Sequence, residues 1–157
     1  MPYAQTEIVI KAPAERVWEV MLDVHRYSEW NPFINKIDCT VPAPVLGTDL
    51  TLHVQFKGGQ KVATVERITQ LDPPSRHADG IVRGVLEYQF LGFLHTFYLV
   101  RGRRSQVVEQ RDSRETLYRT REHLYGLLGF AAPIKAVQDG FERHASALKL
   151  RCESMSP

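Results

Sequence analysis

The sequence predicts an α+β fold, an antiparallel sheet of about six or seven strands curved around a long C-terminal helix, with two short helices after the first strand. Three observations carry this. From Pro133 to Cys152 the apolar residues Ile134, Val137, Phe141, Ala145, Leu148 and Cys152 recur at steps of three and four, one stripe of a 3.6-residue helix. Between Asp49 and Lys57 the period is two, with Leu50, Leu52, Val54 and Phe56 on one face and Asp49, Thr51, His53 and Gln55 on the other. Nearly everything from Asn35 to Tyr125 reads as strand, so the helix must pack on a sheet. One helix lying across a strongly curved sheet cannot fill the concavity, and the remainder is a pocket.

The elements follow in order. Tyr3 to Lys11 sets Glu7 against Ile8 and Ile10 and reads as a strand. Pro13 suits a first helical turn, and Val17, Trp18, Met21 and Leu22 form the buried side of a helix ending near Asp23. A second turn, His25 to Trp30, stops at Asn31-Pro32, because proline disfavours helical geometry in the residue before it. After the strand of Leu50, Gly58-Gly59 signals a tight hairpin, and Lys61 to Leu71 returns as a strand that Asp72-Pro73-Pro74 stops. Thr96 to Gly102 and Ser105 to Arg111 read as strands joined by a turn at Gly102-Arg103-Arg104. Ile81 to Leu94 fits either a strand or a short helix. Glu115 to Tyr125 is the last strand, followed by Gly126, Gly129 and the helix that opens at Pro133. At about 1.5 Å per residue the helix spans about 30 Å, as do strands of nine or ten residues. It can therefore lie along the whole trough.

Composition narrows the function. A length of 157 residues is expected to form one domain, 1–157, with a sizeable core. Apolar content of 43% and charged content of 24% are ordinary for a globular chain. A formal charge of +2 gives no argument for nucleic acid, and the arginine cluster lacks interleaved aromatics. Met1 to Lys11 lacks the basic start and apolar run of a secretory signal, and no stretch approaches the roughly 20 apolar residues that cross a bilayer. Cys39 and Cys152, distant in sequence, read as free thiols of a reducing compartment, so a cytoplasmic location is expected.

A resemblance sharpens this. Glu7-Ile-Val-Ile-Lys-Ala-Pro-Ala-Glu-Arg-Val-Trp18 and Tyr27-Ser-Glu-Trp-Asn-Pro-Phe33 resemble the opening of START/Bet v 1-like (SRPBCC) proteins, more narrowly the bacterial polyketide cyclase/dehydrase and lipid-transport branch. Gly47-Thr48, Asp72-Pro73-Pro74 and Arg121-Glu122 before Gly126-Leu127-Leu128 extend the likeness from Glu7 to about Cys152. The resemblance implies a helix-grip fold and a cavity for a hydrophobic guest. It does not imply one chemistry, because the superfamily hosts carriers, receptors, cyclases and chaperone cofactors. The family's short Val/Trp-Arg-Gly strand occurs twice here, at Ile81-Val82-Arg83-Gly84 and Leu99-Val100-Arg101-Gly102, and pattern alone does not say which copy corresponds.

Candidate ligand-binding residues follow from the faces. Two arginines, Arg119 and Arg121, would be costly to bury on the concave face, so Tyr118, Thr120, Glu122 and Leu124 are assigned inward. Glu122 either meets a ligand or pairs with an arginine of a neighbouring strand at the rim. Leu50, Leu52, Val54 and Phe56 form a second wall, in which the deeper two are core. Val137 and Phe141 lie mid-stripe on the helix beside Gly140, whose helix penalty of about 1 kcal/mol points either to close approach of a side chain or ligand or to simple packing relief. Trp30 and Phe33 either line an entrance or anchor the short helices. Tyr98 completes the ligand-binding set.

Catalytic signals are sparse. There is no phosphate loop, Cys-x-x-Cys or nucleophile elbow. His25, His53, His77, His95, His123 and His144 lack metal-ligand spacing, so neither a metal nor a cofactor is expected. His53 is expected at the surface. Glu122, Tyr118 and His95, the last among Phe93, Phe97 and Tyr98, are the acid–base candidates. Arg101, Arg103 and Arg104, with Arg111 and Arg114, read as a solvated tip that allows at most a transient contact with an anionic membrane. The leading expectation is binding, transport or sensing of a small hydrophobic or amphipathic molecule such as a lipid, isoprenoid or aromatic polyketide. An aromatase/cyclase-type enzyme is the alternative, which requires several converging acid–base groups. A chaperone-associated interaction module is the third. Oligomeric state is not legible in the sequence.

Overall fold

The computed structural model describes residues 3–92, 101–131 and 133–155. Seven antiparallel strands form one curled sheet: β1 (Tyr3–Ile10), β2 (Ile34–Asp38), β3 (Asp49–Gln55), β4 (Lys61–Arg76), β5 (Val82–Leu91), β6 (Arg101–Asp112) and β7 (Glu115–Tyr125). Their spatial order is β1-β7-β6-β5-β4-β3-β2, so β1 and β2 are the edges. Helix α1 (Ala14–Leu22) and a 3-10 turn (Val24–Glu29) connect β1 to β2, and helix α2 (Ile134–Ser154) closes the concave face. This is the helix-grip fold expected from the sequence.

Side chains join these elements where backbone groups lack partners. The Ala14 N–H at the start of α1 donates to Gln110 Oε1 on β6 at 2.7 Å. The Tyr27 hydroxyl donates to the Met21 carbonyl at 2.8 Å, serving one acceptor that the end of α1 leaves open. Along edge strand β1, Gln138 Nε2 donates to the Gln5 carbonyl at 2.9 Å and Lys149 Nζ to the Val9 carbonyl at 2.9 Å. An uncovered strand edge invites pairing with another chain, and α2 occupies this one.

Two expectations about strand ends are corrected. Gly102-Arg103-Arg104 is not a turn, since all three residues belong to the continuous strand β6. Alternation then separates the arginines: Arg103 faces outward and pairs with Glu87 at 2.6 Å, while Arg104 is buried. The double proline does not stop β4, which runs on to Arg76 across a register shift between Asp72 and Ser75. A bulge accommodates residues that cannot donate to the ladder. The open choice for Ile81 to Leu94 resolves to strand over Val82–Leu91. Both Arg-Gly copies mark strand starts, with Arg83-Gly84 in β5 and Arg101-Gly102 in β6.

The predicted helical stripe is present. Phe141, Ala145, Leu148 and Cys152 are buried, Ile134 and Val137 are half-buried, and Gly140 and His144 join them on the same face. Among the described residues, no helix is long and apolar enough to cross a membrane.

Candidate functional site

Cross-strand register assembles the polar part of the site. Tyr88 on β5, Arg104 on β6 and Glu122 on β7 lie opposite one another in a row across the sheet. Arg104 is only 4% exposed. Its Nε donates to Thr120 Oγ1 at 3.1 Å and its guanidinium lies 4.6 Å from the centre of the Phe141 ring. Its Nη2 is buried without a hydrogen-bond partner among the described residues. Glu66 enters from β4, where it faces Leu50 of β3. An added Cβ at Gly102 would lie 2.9 Å from Glu122 Oε1, so the absence of a side chain there makes room for the Glu122 carboxyl.

These groups share a recess of about 110 Å³. Phe33, Leu52, Val54, Phe56, Val137 and Phe141 supply its apolar walls, and Arg104, Glu66, Glu122 and Thr64 its polar side. The Phe33 ring lies edge-on to Phe56 and Phe141, at 5.9 and 6.1 Å between centres. A groove of about 560 Å³ adjoins the recess, between the β3–β4 hairpin and the first turns of α2. Phe56 and Val62 line both. Single pockets that bury drug-sized ligands typically hold about 300–1,000 Å³. The inner recess alone is smaller than that and suits a head group, whereas the groove has room for a longer body.

The electrostatics follow from this crowding. Burial pushes the Glu122 carboxyl up to about 7, the charge of Glu66 adds to the rise, and Arg104 opposes it. Burial likewise raises Glu66, against Arg104 and a hydrogen bond from Thr64. Burial works against the charge of Arg104, but Tyr118, Tyr88, Glu66 and Glu122 outweigh it and the guanidinium stays protonated. A carboxyl that titrates near neutrality beside a fixed cation can both give and take a proton.

A second polar cluster lies deeper. The Tyr118 hydroxyl donates to Gln106 Oε1 at 2.6 Å, and Gln106 Nε2 donates to the Tyr88 hydroxyl at 3.2 Å. Asn31 Oδ1 accepts the Phe33 and Ile34 N–H groups, each at 3.0 Å. Asn31 Nδ2 is therefore a donor, and the contact of 2.7 Å to His144 Nδ1 makes that nitrogen an acceptor. Burial, helped by the Arg104 charge, holds the His144 pKa well below its ordinary value, so the ring is neutral with its proton on Nε2.

Of the residues singled out by sequence, Phe33, Leu52, Val54, Phe56, Glu122, Val137 and Phe141 line the recess. Tyr118 and Thr120 face inward but are fully buried beneath it, hydrogen-bonded to Gln106 and Arg104 respectively. Leu124 is buried against Gly102. Trp30 stands apart, its ring tilted against Tyr27 and His144 at 4.9 and 5.7 Å between centres. His95 and Tyr98 lie outside the described residues. His53 is at the surface, 2.6 Å from Asp38. Arg119 and Arg121 face outward as argued, where they meet Glu7 and Gln5.

Arg104, Glu66 and His144 were missed. The cost of burying an arginine holds for an isolated charge, and here Thr120 and the two carboxylates offset it. Glu66 carried a signal, alternating with Thr64 and Ile68 opposite Leu50 and Leu52. His144 carried one too, three residues after Phe141 and four before Leu148.

A family model described as polyketide cyclase / dehydrase and lipid transport matches residues 1–153. The chain belongs to that family. No curated protein matches the chain in sequence. Solved structures of similar fold include the Zhui aromatase/cyclase from Streptomyces sp. R1128, at 19% identity and TM-score 0.74, covering 96% of this chain and 93% of that one. A START superfamily protein from Mycobacterium smegmatis aligns at 17% identity and TM-score 0.67, over 98% and 99% of the two chains. Norcoclaurine synthase from Thalictrum flavum, solved with dopamine and hydroxybenzaldehyde, aligns at 14% identity and TM-score 0.68, over 99% and 88%. At these identities the likeness is one of fold. Membership of the polyketide cyclase/dehydrase and lipid-transport family, with its START/Bet v 1-like neighbours, agrees with a ligand-binding scaffold.

Proposed function

We propose that this protein binds a small amphipathic molecule, with the polar head at Arg104 and the apolar body passing Phe56 and Val62 into the outer groove. The observation that carries the reading is the recess itself, three phenylalanines facing a buried arginine flanked by two carboxylates. Affinity comes from apolar contact, at roughly 25 cal/mol per Å² removed from water, and orientation from the polar side. A lipid, an isoprenoid or an aromatic polyketide has the required division into head and body.

Native mass spectrometry of the freshly purified protein tests this, together with displacement of bound indole by candidate ligands. Bound mass, or indole binding that a Val137→Trp variant loses, supports the proposal. A protein that carries no guest and binds no apolar probe contradicts it.

A second reading, an aromatase/cyclase-type enzyme, is favoured by a specific observation: Glu122, with its pKa near 7, converges with Glu66 and Arg104. In such an enzyme the recess would orient a reactive carbonyl on Arg104 while Glu122 moved a proton. Glu122→Gln abolishes turnover under this reading and changes only affinity under the first.

A further inference from the structure

The recess specifies the head group, an inference that rests on the ligand-binding reading just given. Arg104 Nη2 is a buried N–H donor with no acceptor among the described residues. A hydrocarbon head would leave it bare, and an ammonium head would bring a second cation against it. The Glu66 and Glu122 carboxyls line the same space, so a carboxylate head would meet like charge. Above about pH 7, where Glu122 is ionised, a carbonyl accepts from Arg104 but offers nothing to the carboxylate. A hydroxyl meets both demands, because its oxygen accepts while its proton donates.

Size limits what carries that hydroxyl. The recess holds about 110 Å³. An apolar cavity of about 150 Å³ is enough for benzene. Phe56 lines both the recess and the groove, so a small movement of that side chain would admit one ring but not two. The ring would lie among Phe33, Phe56 and Phe141, where aromatic edges and faces are already paired.

We infer that the site selects a neutral hydroxyl group on a head of about one ring, the oxygen taking the free Arg104 N–H and the proton going to a carboxylate of the Glu66–Glu122 pair.

Isothermal titration at pH 8 with phenol, toluene, benzaldehyde and benzoate tests the inference on the intact protein. Phenol is expected to bind roughly tenfold or more tightly than each of the others, because a site built to hydrogen-bond a hydroxyl rejects analogues that lack it. Arg104→Met should erase the phenol preference while keeping toluene affinity. If that variant does not fold, the four ligands on the wild-type protein decide alone. Toluene or benzaldehyde binding as tightly as phenol overturns the hydroxyl assignment and leaves the ligand-binding reading intact. Failure of all four to bind overturns the assignment, and failure of indole binding and native mass spectrometry as well removes the reading beneath it.

Discussion

The Phe33 ring occupies the space that a side chain at position 140 would need: an ideal Cβ on Gly140 would lie 2.2 Å from a ring carbon. A helix-interior glycine costs about 1 kcal/mol relative to alanine. Here it lets α2 settle onto the aromatic wall of the recess. Gly140→Ala should therefore destabilise the protein by roughly 1–3 kcal/mol despite alanine's better helix propensity, because Phe33 must move. Urea unfolding measures this, and a more stable variant would mean that the contact is not tight.

Glu122 gives a stability effect whose sign can be stated. Its folded pKa, about 7, lies above its ordinary value of 4.5. The folded state thus holds the proton more tightly, and this group's stabilising contribution is fully present below about pH 4.5. It is lost as pH rises through 7. Melting temperatures of wild type and Glu122→Gln between pH 4 and 8 should diverge, the variant gaining relative stability on the order of 3 kcal/mol toward pH 8. Parallel curves would mean that Glu122 is not desolvated.

Arg104 depends on Thr120 for its orientation, through the Nε–Oγ1 hydrogen bond of 3.1 Å. Thr120→Val removes the acceptor while keeping the shape, leaving a second buried guanidinium N–H unmet. A loss of about 1–3 kcal/mol is expected by denaturation, with Thr120→Ser retaining most of the stability.

Asn31 anchors the start of β2 by accepting two backbone N–H groups and donating to His144. Asn31→Ala strands all three, and a cost of roughly 2–4 kcal/mol is expected. Hydrogen exchange should locate the damage, with faster exchange at the Phe33 and Ile34 amides. Unchanged protection there would contradict the assignment.

The fold was legible because each element states its period. Leu50, Leu52 and Val54 alternate cleanly, and Val137, Phe141, Ala145 and Leu148 repeat at helical spacing. Apolar residues of the recess were legible for the same reason, since a face pattern says which side chains point inward. Of its polar side, Glu122 was legible from strand alternation, and Arg104 and Glu66 were not. Arg104 sits beside Arg103 after a glycine, a composition that mimics a turn, and only pairing with Tyr88 and Glu122 reveals it as strand. Glu66 and Glu122 are distant in sequence and meet because the sheet curls, a non-local effect that no spacing rule registers. For Trp30 the sequence left two readings, an entrance or an anchor for the short helices, and the 3-10 turn delivers it to Tyr27 and His144.

Titration with phenol followed by two-dimensional NMR tests the central claim most directly, because it reports where a guest goes. Binding in the recess predicts shifts concentrated at the Arg104 side-chain Nε–H and at the Phe33, Val54, Val137 and Phe141 amides. Those shifts should saturate together with one dissociation constant. Saturating phenol that leaves these signals unmoved, or moves only surface residues, would contradict the account.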